Sequence, residues 1–251
     1  MDAQILERLN RINQQFYQKF SVSFSRTRQR LQPGVSAVLA NLPENGNWLD
    51  VGCGNGNLAD AWVKSGRTGF FCGLDFSPGF IADAEGNVRL QNHQQEVLFR
   101  QVDLTQSDWD SALPEKLWDG IFCFAVLHHI PGEHQRELLC KALRGLLADG
   151  KECIVSVWQP TNSPRLTRRI LTWENIGIST DTVDPGDVLM DWRARDKGED
   201  GEIAYRYVHI FKEDELSDLA QKSGYRVKQT FYSDGKEGNL GLYQRWTANF
   251  L

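Results

Sequence analysis

The chain has 251 residues, 41% of them hydrophobic and 24% charged, with a formal net charge of −5. That length suits one α/β domain with an elaboration, and the acidic balance excludes a general attraction to nucleic acid while leaving room for a local basic rim. The longest nearly apolar run, residues 121–130, carries His128 and His129 and is too short to cross a bilayer.

Residues 4–20 place Ile5, Leu9, Ile12, Phe16 and Phe20 three or four apart, which predicts an amphipathic helix packed on a sheet edge or over the mouth of a site. A basic arm follows, Phe24-Ser25-Arg26-Thr27-Arg28-Gln29-Arg30. Residues 34–42 read as a short helix. Next comes Asn47-Trp48-Leu49-Asp50-Val51-Gly52-Cys53-Gly54-Asn55-Gly56-Asn57, a short apolar strand running into a glycine turn, with a crossover helix over residues 56–65. Glycines at alternate positions let a backbone approach a ligand that a Cβ would push away. A plain strand–turn–helix corner would also explain this motif taken alone.

The segments after it sharpen the reading. Phe70-Phe71-Cys72-Gly73-Leu74-Asp75 is a second apolar strand ending in an acid, where an open α/β sheet holds ribose hydroxyls. Ser77-Pro78 should cap and start the next helix. Val97-Leu98-Phe99-Arg100-Gln101-Val102-Asp103 is a third strand running to an acid, and residues 118–124 form a fourth, apolar on both faces. Residues 133–147 carry Leu138, Leu139, Ala142, Leu143, Leu146 and Leu147 on a helical stripe, and residues 151–158 are a fifth strand after the turn at Asp149-Gly150. Regularity then breaks. Residues 159–202 hold few apolar side chains and a charged tip at 193–202; such a stretch is either disordered or a lid, and a lid is expected, with short helices near 166–173 and a mobile end at 197–201. Order returns at 205–211, and a helix over 213–223 and a closing hairpin (225–232 and 240–250) complete the chain, the hairpin adding one antiparallel strand at the sheet edge.

The alternation predicts an α/β fold: a doubly wound, mostly parallel, seven-stranded sheet in a single domain of residues 1–251. Residues 1–34 supply the N-terminal helix and arm, and 159–203 the lid insertion. The five cysteines stand singly at 53, 72, 123, 140 and 153 without metal-ligand or redox spacing, so buried thiols and no metal site are expected. No secretory signal opens the chain, and a cytoplasmic location without membrane association is expected.

Residues 49–56, Asp75, Asp103-Leu104 and residues 119–129 together resemble the successive motifs of class I S-adenosylmethionine-dependent methyltransferases, which have a Rossmann-like fold. The glycine spacing differs from the G-x-G-x-x-G of nicotinamide-dinucleotide sites. The resemblance implies that Asp50, Gly52, Cys53, Gly54, Asn55 and Gly56 line the methionine moiety of S-adenosylmethionine. It places Asp75 at the ribose, with Phe76 and Ser77 beside it among the cofactor-binding residues, Asp103 and Leu104 at the adenine, and Ala125, Val126 and His128 on the far side of the sulfonium. For residues 125–130 the alternative is a strand end with two solvated histidines.

The flanks narrow the likeness. Phe24-Ser25-Arg26-Thr27-Arg28, Gly186-Asp187-Val188-Leu189-Met190-Asp191-Trp192 and Arg206-Tyr207-Val208-His209-Ile210-Phe211 resemble the methyltransferases that esterify 5-carboxymethyluridine at the tRNA wobble position. There the acceptor is a carboxylate, ionised at neutral pH, and arginine is the side chain suited to holding it. Arg26, Arg28, Arg193 and Arg206 are the candidates. Two positions depart from that family: Gln32-Pro33 stands for its Trp-Pro, and Asp191 for a proline before the tryptophan. Some members carry RNA-binding domains or use a small activator protein, and the insertion here, with nine acids against six bases, is a poor surface for phosphate. Three functions stay open: a tRNA carboxyl methyltransferase, a methyltransferase of a small-molecule carboxylate or other metabolite, and a non-catalytic S-adenosylmethionine-binding protein.

Overall fold

A computed structural model describes residues 1–27, 30–115, 117–193 and 203–248. Helices α1 (Ala3–Thr27) and α2 (Pro33–Ala40) precede β1 (Asn45–Val51), α3 (Asn57–Lys64), β2 (Thr68–Asp75), α4 (Pro78–Asn87) and β3 (Gln95–Gln101). Then come β4 (Trp118–Phe124), α5 (Glu133–Leu146) and β5 (Leu147–Trp158). The insertion holds α6 (Pro164–Thr167), β6 (Ile170–Leu171), β7 (Asp187–Arg193) and β8 (Ile203–His209), and α7 (Glu213–Lys222), β9 (Tyr225–Ser233) and β10 (Gly241–Ala248) close the chain.

Seven strands form one sheet in the order β3-β2-β1-β4-β5-β10-β9, the first five mutually parallel. The central strands are apolar on both faces because both are covered. Leu49, Cys72, Ile121 and Val155 pack towards α5 and α7, and Trp48, Phe71 and Phe122 pack towards α2 and α3. Trp48 stacks on Phe122 at 5.5 Å. All five cysteines are free and buried, as expected. Strand order reverses between β1 and β4, and an open sheet of this kind takes its ligand at the carboxyl ends beside such a reversal.

Four expectations need correction. β10 is antiparallel to both β5 and β9 and lies between them, so the antiparallel strand is inside the sheet and β9 forms the edge. Leu138 is 47% exposed, since neighbours such as Leu138 and Leu139 stand 100° apart on a helix and cannot both face the core. Arg136 is buried in its stead. α1 runs through Phe24 and Arg26 to Thr27, so the first part of the basic arm is helical. The insertion is more than short helices: β6, β7 and β8 form a three-stranded antiparallel sheet that packs Leu189 and Tyr207 against Leu9, Trp173 and Ile178. The tip at 197–201 lies outside the described residues.

A buried polar cluster fastens this second sheet to the helices that cover the first. His209 on β8 contacts Asp187 on β7 through Nδ1 (2.7 Å) and Glu215 on α7 through Nε2 (2.6 Å). With a carboxylate at each nitrogen, the doubly protonated ring is the form that satisfies both contacts. Tyr207 also donates to Asp187 (2.7 Å), and Arg136 on α5 donates to the Tyr207 hydroxyl and to the Ile130 carbonyl. Burial opposes the charge on His209, but the hydrogen bonds to Asp187 and Glu215 outweigh it and its pKa is raised. A raised histidine contributes stability that is fully present below its unfolded value, about 6.5, and is lost as pH rises through the folded value. Urea unfolding of wild type should therefore weaken from pH 6 to pH 9 more steeply than that of His209→Gln. Equal slopes would show that this ring carries no such linkage.

Candidate active site

The turn after β1 is held by its neighbour strand: the amides of Gly52 and Cys53 both donate to the Leu74 carbonyl, at 2.7 and 2.8 Å. Gly52 has φ +77°, and a Cβ there would meet Val126 Cγ2 at 2.3 Å. Gly54, at φ +54°, differs: its absent Cβ would meet nothing within 4 Å and would project into open space. That open space is a cavity of about 540 Å³ at the carboxyl ends of the parallel strands.

Asp75, the last residue of β2, accepts from the amides of Gly54 (3.0 Å) and Ser77 (2.9 Å) and so ties the glycine turn to the start of α4. Burial pushes its carboxyl up to about 6, with those hydrogen bonds pulling the other way. Asp50 lies within β1 and is raised to about 8, first by burial and then by the Asp75 charge. Asp103, two residues beyond the end of β3, accepts from Thr105 (2.7 Å to the hydroxyl) and from Gln14 of α1 (3.1 Å). Directly after β4 stands Ala125, a non-glycine residue at φ +58°, where the left-handed region is costly for any side chain. Ser156 holds it there by accepting the Ala125 amide on both its carbonyl (3.0 Å) and its hydroxyl (3.1 Å).

Of the residues expected at the cofactor, all line the cavity except Gly56 and Ser77. Gly56 packs behind the wall, where a Cβ would fall 2.8 Å from Ala84 Cβ, and Ser77 is buried and caps α4 by accepting from the Phe80 amide. His128 lines the cavity yet is only 2% exposed, so the picture of solvated histidines fails for it. Its Nδ1 accepts from the Trp158 amide at 3.3 Å, which puts the ring proton of the neutral form on Nε2.

Among the four candidate arginines, Arg28 and the side chains of Arg26 and Arg193 lie outside the described residues. Arg206 lines the cavity at 5% exposure. Its guanidinium sits 4.5 Å from the Trp158 ring centre, 5.4 Å from Phe16 and 5.8 Å from Trp192, and its Nε has no hydrogen-bond partner among the described residues. Burial lowers its pKa, while Tyr17 and Asp191 work against that.

Sequence reasoning missed one wall. Asn10, Asn13, Gln14 and Tyr17 of α1 all line the cavity. Their spacing of three, four and seven is a helical stripe in its own right, polar and uncharged, beside the apolar one that anchors the helix. Reading for a second stripe would have found it. His129 and Trp158 also line the cavity, as do Asp234 and Tyr243.

The chain matches the family described as methyltransferase domain over residues 24–230. The tRNA (carboxymethyluridine(34)-5-O)-methyltransferase of Schizosaccharomyces pombe is 27% identical over 245 residues, 90% of this chain and 94% of that protein. The trans-aconitate 2-methyltransferase of Methylobacterium nodulans is 34% identical over 148 residues, 57% of this chain and 51% of that protein. Among solved structures, a SAM-dependent methyltransferase from Methanosarcina mazei superposes with a TM-score of 0.64 at 19% identity, over 88% of this chain and 99% of its own. Magnesium protoporphyrin IX methyltransferase from Synechocystis, with bound SAH, gives 0.60 at 18% identity, over 94% and 99%. At such identities the two structures speak for the fold. A family match over most of the length, on this fold, makes the chain a member of the methyltransferase-domain family and an S-adenosylmethionine-dependent methyltransferase.

Proposed function

We propose that this enzyme methylates a carboxylate oxygen, and that the carboxylate is the carboxymethyl group of a wobble uridine in tRNA. Arg206 carries the proposal. A buried guanidinium framed by three aromatic rings, with one N–H left without a partner among the described residues, is suited to a planar anion entering the cavity. A relative similar over nearly its full length is named for carboxymethyluridine, and another for trans-aconitate, also an acid.

The residues present fit the cofactor. The open space at Gly54 accommodates a ligand against the backbone, and two buried carboxyls suit a molecule with cationic groups and ribose hydroxyls. Asp75 would hold the ribose, Asp103 and Leu104 the adenine, and Asp50 with the Gly52–Gly54 backbone the methionine end. When bound, S-adenosylmethionine supplies an electrophilic methyl on its sulfonium. The acceptor carboxylate is already ionised, so the protein's own work is alignment and exclusion of water. Arg206 orients the acceptor, and Phe16, Trp158 and Trp192 keep the guanidinium dry.

Incubation with labelled S-adenosylmethionine and tRNA bearing 5-carboxymethyluridine should yield a base-labile methyl ester, and absence of the ester would overturn the tRNA reading. The acidic insertion favours a second reading, a small-molecule carboxylate. Salt separates the two. Binding to tRNA falls by nearly one log unit per log unit of salt for each phosphate contact, whereas a small acid responds weakly.

One prediction follows from Asp50. Its carboxyl, raised to about 8, is mainly protonated at pH 7 in the protein alone. A cationic ligand beside it favours the ionised form. Cofactor binding at pH 7 should thus release up to about one proton, seen as a dependence of calorimetric heat on buffer ionisation enthalpy. Asp50→Asn should lose that dependence; if it does not, the proton comes from elsewhere.

A further inference from the structure

Two consecutive side chains of α1 line the cavity and serve different walls of it. Asn13 donates to the carbonyls of His129 (3.0 Å) and Tyr207 (3.2 Å) and accepts from the Tyr207 amide (2.8 Å), which pins the helix to β8. Gln14, about 100° further round the helix, reaches the loop after β3 and donates through Nε2 to Asp103 Oδ2 at 3.1 Å. A carboxylate only accepts, so the nitrogen end of the Gln14 amide is the end that faces Asp103.

The Asp103 carboxyl is set oxygen by oxygen. Oδ1 accepts from the Thr105 amide (3.0 Å) and hydroxyl (2.7 Å), which occupies both its lone pairs. Oδ2 accepts from Gln14 and, at 3.4 Å, from the exposed Gln106 side chain. The Gln106 contact is longer than an ordinary N–H···O bond and is the one a ligand N–H can replace. Gln14 and Thr105 between them therefore fix the plane of the carboxyl and the direction in which Oδ2 accepts. Both donors are uncharged, so they orient the group without neutralising it as an arginine would. The helix is already anchored by Asn13 and by the buried Leu9 and Phe16, so a further tie at the cavity surface adds little to its hold.

We propose that Gln14 is a positioning residue of the cofactor site, holding Asp103 to accept from the 6-amino group of the adenine and so setting the preference for a 6-amino over a 6-oxo purine. The inference rests on the reading that Asp103 and Leu104 take the adenine. An exocyclic amine donates to Oδ2. A 6-oxo purine presents a carbonyl at the same place, acceptor against acceptor, and both groups lose their partners. If the carboxyl can turn, that contrast is blunted, because a rotated Asp103 serves neither ligand.

The test compares calorimetric affinities for S-adenosylhomocysteine and S-inosylhomocysteine, which differ at that one position. Wild type should prefer the 6-amino ligand by about a hundredfold. Gln14→Met keeps the length and helical preference of the side chain and removes its donor. It should lower the preference about tenfold, through weaker S-adenosylhomocysteine binding, with S-inosylhomocysteine affinity near wild type reporting an intact fold. A role in fastening the helix alone would weaken both ligands together and leave the ratio where it was. Asp103→Asn checks the underlying reading, since its amide can donate to a 6-oxo group and should bring the ratio towards one. A Gln14→Met ratio within about twofold of wild type, with the ratio collapsed in Asp103→Asn, overturns the inference and leaves the adenine assignment standing. An unchanged ratio in Asp103→Asn removes both.

Discussion

Arg206→Ala is expected to lower kcat/KM for the acceptor by roughly thirty- to several-thousand-fold, the consequence of losing about 2–5 kcal/mol from a buried charge-assisted contact. Affinity for S-adenosylhomocysteine should stay within about twofold, because the guanidinium is framed by Phe16, Trp158 and Trp192, none of which is assigned to the cofactor. Arg206→Lys should recover little. An ammonium is a compact, strongly hydrated point charge and cannot lie flat among rings or present two parallel donors. Single-turnover methyl transfer with bound cofactor separates this loss from any change in cofactor binding. Activity near wild type in Arg206→Ala would remove the basis for a carboxylate acceptor.

The other large effect should come from Asp75. Alanine there removes a ribose partner and also leaves the Gly54 and Ser77 amides without their acceptor, which loosens the turn the cofactor rests on. A loss of about 1.5–3 kcal/mol in S-adenosylmethionine affinity is expected, roughly ten- to 150-fold, the scale for a hydrogen bond to a charged group. Asp75→Asn keeps one acceptor oxygen and should lose less. Calorimetry measures both, and unchanged affinity in Asp75→Ala would rule out the ribose assignment.

The parallel half of the fold was legible because each central strand is buried on both faces. Apolar runs such as Phe70–Leu74, stopped by Asp75, and Ile121–Phe124, preceded by Asp119-Gly120, leave little room for another reading. The turn from Gly52 to Gly56 and the acids at 50, 75 and 103 were legible for the same reason, since glycine and carboxylate are chemically distinct against that background. The insertion was not. Its strands bury Asp187, Asp191, Arg206 and His209, so the period of two that should announce a strand is broken by the residues that interlock the sheets. The place of β10 depends on pairing with β5 across about ninety residues, which no local pattern encodes. The left-handed backbone at Ala125 has no sequence mark either, as it is imposed by Ser156.

Asn13 makes with Tyr207 the pair of backbone bonds that a neighbouring strand would make, across 194 positions of sequence. That distance has a kinetic meaning. A chain emerging from its N-terminus exposes Leu9, Phe16 and Phe20 long before β8 exists to cover them, so α1 must wait while the parallel sheet forms behind it. The acceptor wall is thus expected to assemble after the parallel strands. In refolding, the ability to bind S-adenosylhomocysteine should return with the parallel strands, and the ability to transfer a methyl group should lag until α1 and β8 meet.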